Sequence, residues 1–156
     1  MWQAVQSRNF GIANMNDANF LKRYTYEIIA NDFNLAGKGS SDIKTNLKTL
    51  GIDPKLIRRI AIVSYEAEIN IVIHSYGGKL YCDIYKDRIV VISEDTGPGI
   101  PNIDLALTEG YSTASSKVRE LGFGAGMGLP NMKRWSDEFE ITSQREGTKI
   151  QMTVLI

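Results

Sequence analysis

The sequence predicts an α+β fold, a two-layer sandwich with helices packed on one face of a mixed β-sheet. Three observations carry this. Apolar residues recur at three- and four-residue steps over 54–74, the mark of a long helix with one buried face. Short β-branched and aromatic segments near 80–85 and 89–93, and again near 138–144 and 148–155, flank tight turns and read as hairpins. The order is strand, two helices, two strands, loop, helix, two strands, which groups elements rather than alternating them and so favours α+β over a parallel α/β sheet.

Residues 1–19 mix Asn, Gly and Ser without a period and read as a loose arm, leaving 20–156 as a single domain. Tyr24, Thr25, Tyr26, Ile28 and Ile29 make 21–29 a strand. Gly37 to Asp42 form a turn rich in hydroxyl and acidic N-cap candidates, after which Ile43, Leu47 and Leu50 keep helical spacing until Gly51. Pro54 opens the longest helix, through Leu56, Ile57, Ile60, Val63, Ala67, Ile71 and His74, and Gly77-Gly78 stops it. Lys86-Asp87-Arg88 turns the first hairpin. The stretch 108–126 is polar and aperiodic, and a last helix is expected over 129–137.

Composition narrows the function classes. With 156 residues the chain is about one domain on the usual span of ~100–200 residues. Its 18 basic and 18 acidic residues cancel, so no overall field points to nucleic acid or an acidic membrane. No apolar run approaches the ~18 residues of a membrane helix, and Met1-Trp2-Gln3-Ala4-Val5 lacks the pattern of a signal peptide. The lone Cys82 has no partner in the chain, which accords with a reducing, cytoplasmic setting.

Three constellations carry chemistry. Glu66 and Asn70 are four residues apart on the long helix, so their side chains leave one face a turn apart. A carboxylate beside a carboxamide on an apolar helix is costly to bury without partners. One use for the pair is a nucleotide site, where the amide oxygen ligates Mg²⁺ and the carboxylate accepts a proton. Taken alone, the pair reads more simply as a solvated face, with Glu68 another exposed acid. Asp95 ends an apolar strand and leads into Thr96-Gly97-Pro98-Gly99-Ile100, where glycines two apart let backbone approach a flat ligand; an ordinary turn has the same composition. Gly122-Phe123-Gly124-Ala125-Gly126-Met127-Gly128-Leu129-Pro130 alternates glycine into a helix start, where open amides form an anion site. It is neither a Rossmann fingerprint nor a Walker loop.

Together and in this order, Glu-x-x-x-Asn on a helix, Asp-x-Gly-x-Gly after a strand and a glycine run before a helix resemble the N, G1 and G2 boxes of the GHKL ATPase superfamily. Gly147-Thr148 is similar to that family's terminal Gly-Thr. The resemblance spans about 54–155 and implies the Bergerat ATP-binding fold, with ATP and Mg²⁺ as cofactors. Carried over residue by residue, it makes Glu66 the catalytic base and Asn70 the Mg²⁺ ligand. It assigns nucleotide contacts to Asn70, Asp95, Gly97, Gly99, Ile100, Gly124, Ala125, Gly126, Met127, Gly128, Leu129 and Thr148. Three stretches are most similar to the small bacterial anti-sigma regulatory factors that act as serine protein kinases, the stressosome switch kinase among them. They are Glu66 to Tyr76, Glu94 to Pro101 leading into Glu109-Gly110-Tyr111-Ser112-Thr113, and Leu129 to Arg134 followed by Asp137-Glu138-Phe139. A lid longer by 114–120 departs from the switch kinase. The resemblance implies transfer of the γ-phosphoryl of ATP to a serine of a regulator such as a STAS-domain antagonist. A nucleotide-dependent module that sequesters a sigma factor without catalysis, or a simple ATPase, stays open. A homodimer is compatible with the resemblance, whereas direct nucleic-acid or membrane binding is not expected. The stretch 108–126 is expected to be mobile without nucleotide and to order over the phosphates.

Overall fold

The structure, a computed structural model, describes residues 16–120 and 126–156 together with the backbone of Ala4 and Val5. In chain order it contains β1 (Ala4–Val5), β2 (Phe20–Ile28), α1 (Lys38–Thr49) and α2 (Pro54–His74). The hairpin of β3 (Gly78–Tyr85) and β4 (Arg88–Asp95) follows, then the short helices α3 (Ile103–Ala106) and α4 (Ser116–Glu120). Helix α5 (Gly128–Trp135) leads into a second hairpin, β5 (Glu138–Gln144) and β6 (Gly147–Leu155).

The sheet has six strands in the order β1-β5-β6-β4-β3-β2. Every described pairing is antiparallel, where a mixed sheet was expected. The antiparallel arrangement follows from the topology. β6 slots between β5 and β4, running opposite to both, so no crossover returns parallel to its neighbour. Within the arm expected to be loose, Ala4 and Val5 pair with Thr142 and Ile141 on the edge of β5.

Alternation along the strands decides which face is covered. Leu80, Cys82 and Ile84 of β3, Ile89 and Val91 of β4, and Ile150, Met152 and Val154 of β6 are buried in one cluster with the helices. Ile57, Ile60, Val63, Ala67 and Ile71 supply the stripe of α2, while Ile43 and Leu47 supply that of α1. The opposite face is not simply polar. Tyr85, Val90 and Ile92 form a second buried cluster there with Phe20 and Tyr81. Beside it the Asp83 carboxylate, with no exposed side-chain surface, takes both a 2.7 Å and a 2.8 Å hydrogen bond from the Arg23 guanidinium.

Local signals account for the helix ends. Asp53 caps α2 by accepting from Lys55 N at 2.8 Å, and Pro54 occupies the first turn, where its missing N–H costs nothing. α5 stops at Trp135, two residues short of the expected end, because Asp137 is drawn into a 3.0 Å pair with Arg59 and accepts from Leu155 N. α1 has a less ordinary start. No side chain of its own first turn caps it; Glu68 of α2, 1% exposed, reaches across instead. Its carboxylate accepts from Gly37 N at 2.7 Å, Ser40 N at 2.8 Å and Gly39 N at 3.3 Å. Glu68 is therefore not a solvated acid. Among the described residues no helix is long and apolar enough to cross a membrane.

Candidate functional site

A face of α2 flanking its sheet-facing stripe meets the end of β4, the start of α5 and the turn of the β5–β6 hairpin. Together they enclose a cavity of about 330 Å³. Glu66 and Asn70 line it from α2, Asp95, Gly99 and Ile100 from the end of β4 and its turn, and Thr148 from β6. Gly126, Met127, Gly128 and Leu129 line it from the start of α5. Two of the residues singled out from sequence as contacts, Gly124 and Ala125, lie outside the described residues. Gly97 does not line the cavity. It packs instead on the end of α2, where a Cβ would stand 3.1 Å from Ser75 Cα.

The floor is a relay of short hydrogen bonds. Asp95 Oδ1 accepts from Thr148 N at 3.0 Å, and the Thr148 hydroxyl meets the Ser143 hydroxyl at 2.7 Å. Ser143 Oγ in turn accepts from Ile100 N at 2.6 Å, so the turn after β4 is tied to the last hairpin at both ends. Gly99 sits at φ 74°, and a Cβ there would fall 2.0 Å from Gln144 O. Only glycine lets the turn approach this closely. Burial pushes the Asp95 carboxyl above its ordinary range, with the Thr148 N–H offsetting part of the rise.

On the opposite wall burial also pushes the Glu66 carboxyl up, and a hydrogen bond from Asn131 partly opposes it. The first turn of α5 has no side-chain cap, which leaves its leading amides to whatever occupies the cavity. Ile69, Ile73, Ile100 and Leu129 supply apolar wall between these polar groups.

The family described as histidine kinase-, DNA gyrase B- and HSP90-like ATPases matches residues 55–156. The chain belongs to this ATPase family. Among curated relatives, the serine/threonine-protein kinase RsbT of Bacillus subtilis (strain 168) is 36% identical over 109 residues, 67% of this chain and 76% of the relative. The anti-sigma F factor of Clostridium novyi (strain NT) is 32% identical over 110 residues, 65% of this chain and 73% of the relative. A chain of the SiaB–SiaC complex from Pseudomonas aeruginosa shares the fold with a TM-score of 0.55 at 13% identity, covering 87% of this chain and 90% of that one.

As a member of the histidine kinase-, gyrase B- and HSP90-like ATPases, the chain brings the elements that resemble the family's boxes onto one cavity, although they are spread from residue 66 to residue 148. Sequence reasoning gave no site role to several residues found here. His74 lines the cavity one further turn along the Glu66–Asn70 face, with its Nδ1 3.4 Å from Thr113 Oγ1, and burial holds its imidazole below the usual range. Its i+8 spacing from Glu66 was a signal for that placement. Tyr111, Ser112 and Thr113 close one side; they were visible in the sequence only through a stretch of similarity and the expected lid over 108–126, not through any periodicity. Asn131 was visible only as part of a stretch of similarity. It donates from Nδ2 to Glu66 Oε1 at 3.3 Å.

Proposed function

We propose that this chain is a cytoplasmic, ATP-binding regulator of the anti-sigma type that moves the γ-phosphoryl group of ATP to a serine of a partner protein. The observation carrying this reading is that Glu66, Asn70, Asp95, Thr148 and the uncapped first turn of α5 face a single cavity. Membership of the ATPase family and relatives named as a serine/threonine kinase and an anti-sigma factor support it.

The donor set fits Mg²⁺-ATP. A buried carboxylate beside apolar wall suits a base with an exocyclic amine, a helix start with open amides suits a polyanion, and an amide oxygen on the same cavity suits a hard cation. When bound, Mg²⁺-ATP supplies the phosphoryl group and the charge neutralisation that its transfer needs. Asp95, braced by Thr148, accepts from the adenine amino group. Gly99 and Ile100 let the backbone lie against the base. Asn70 holds Mg²⁺. Gly126, Met127, Gly128 and Leu129 present backbone at the phosphates, and Gly124 and Ala125 of the same glycine run are assigned there too. Glu66 takes the proton of the partner's serine hydroxyl as its oxygen bonds to the γ-phosphorus and ADP departs with the bridging oxygen. The burial that raises the proton affinity of Glu66 suits it to this role. The partner is a regulatory protein, of the STAS-domain antagonist or sigma-factor class, and the enzyme acts alone or as a homodimer.

Two variants test the assignment. Glu66→Gln keeps shape and hydrogen bonding but cannot take the proton, so phosphoryl transfer falls by ~10²–10⁴ while ATP affinity barely moves. Asn70→Ala loses Mg²⁺-dependent binding as well as turnover. Labelled-phosphate transfer to a serine of a protein recovered with ATP, beside a binding titration, gives the readout. Wild-type transfer by Glu66→Gln ends the general-base role. ATP-dependent binding without transfer by the wild type favours a sequestering module.

A further inference from the structure

Glu66 is the one carboxylate on the α2 side of the cavity, and its position is set from outside its own helix. Asn131, in the second turn of α5, donates from Nδ2 to Glu66 Oε1 at 3.3 Å. Gly128, three residues earlier and therefore on the same face of α5, faces the other oxygen. A Cβ at 128 would stand 3.3 Å from Glu66 Oε2. The carboxylate is thus held at one oxygen by an amide donor, while the other faces Gly128, where any side chain would crowd it. A free glutamate on a helix samples several rotamers, and fixing one costs side-chain entropy that the Asn131 hydrogen bond offsets. Asn131 itself is half-buried and does not line the cavity, so it acts through Glu66.

We infer that Asn131 is a positioning residue, whose amide holds the Glu66 carboxylate in the rotamer and ionisation state from which it accepts the serine proton. This rests on the reading of Glu66 as the base. An N–H donated to a carboxylate favours its charged form, and that opposes the rise burial imposes on Glu66. Without the donor the carboxyl binds its proton more tightly and is ionised in a smaller fraction of molecules near neutral pH. It is also free to turn out of line, and a misplacement of about 1 Å costs roughly a hundredfold in rate.

The test uses the full chain with Mg²⁺-ATP as the probe and three substitutions: Asn131→Leu, without a donor; Asn131→Asp, of the same shape but an acceptor; and Asn131→Gln, which keeps the amide. The Glu66 carboxyl is followed by carbon NMR during a pH titration of the nucleotide-free protein, its resonance assigned by its loss in Glu66→Gln. ATP turnover and ATP affinity are measured alongside. The Glu66 midpoint should rise in Asn131→Leu and further in Asn131→Asp. Turnover should fall about ten- to a hundredfold in both with KM for ATP unchanged, and Asn131→Gln should recover part of each effect. A midpoint unchanged in Asn131→Leu and Asn131→Asp overturns the tether whatever the kinetics. A raised midpoint with wild-type turnover overturns the positioning role. If Glu66→Gln itself turns over normally, the base assignment has failed while a raised midpoint still establishes the tether. Should Asn131→Leu not fold, the Asn131→Asp and Asn131→Gln pair carries the same comparison.

Discussion

Asp95 illustrates how much one side chain at this site depends on others remote in the chain. It ends an apolar strand, yet its carboxylate is braced by an N–H from residue 148, and the hydroxyls of Thr148 and Ser143 continue the link to Ile100. Asp95→Asn keeps the size but can place an NH₂ where an oxygen accepted, leaving a donor facing the Thr148 N–H or the adenine amine. An imperfectly paired buried group costs ~1–3 kcal/mol, so calorimetry on this variant should show ATP affinity reduced at least several-fold with the fold intact. Unchanged affinity would remove Asp95 from the adenine contact. The sequence placed Asp95 at the end of an apolar strand, where an ordinary turn has the same composition, and the structure puts it on the cavity wall. Gly97 shows the limit of such reading. Its composition matched a ligand-facing glycine as well as Gly99 did, yet it lies against Ser75 and beside the Asp95 carboxylate rather than in the cavity lining.

At the scale of elements, α2 was readable almost to the residue, because a 21-residue helix repeats its buried stripe many times over. The helices α3 and α4, of four and five residues, contain too few turns for any period to show. What the pattern of α2 concealed was the direction of Glu68. Two residues from Glu66 on a helix points roughly the opposite way, and there Glu68 meets the start of α1 rather than water. Nothing local to 66–70 announces that the Gly37–Ser40 backbone folds against it. Glu68→Ala strips three backbone donors of their acceptor. Urea denaturation should register a loss of roughly 1–3 kcal/mol, larger than an exposed glutamate would give. A loss within ~0.5 kcal/mol, the range of neutral surface substitutions, would mean that the cap contributes little.

For the molecule as a whole, the layer arrangement and the two hairpins were foreseeable, and the pairing of one hairpin with the other was not. Element order constrains what can stack on what, whereas the insertion of β6 between β5 and β4 is a choice among pairings that periodicity leaves equivalent. The cavity inherits this arrangement, with its fixed walls on α2, β4 and β6 and one side closed by Tyr111, Ser112 and Thr113. Tyr111 and Thr113 are exposed and their segment adds little to the core, so their amides are expected to exchange readily. Adding a non-hydrolysable ATP analogue with Mg²⁺ should slow exchange there, and equal rates with and without it would count against a closing lid. The place of β6 in the sheet also bears on how the protein comes into being. During synthesis it is the last of these strands to leave the ribosome, yet it must pair on both sides, with β4 formed some fifty residues earlier and with β5 just before it. Until then Asp95 has no Thr148 to brace it, and β4 offers an open hydrophobic edge to any neighbouring strand. The braced Asp95 is therefore available to nucleotide only once β6 has docked, and the interval before that is when a newborn molecule is most exposed to aggregation and to chaperones.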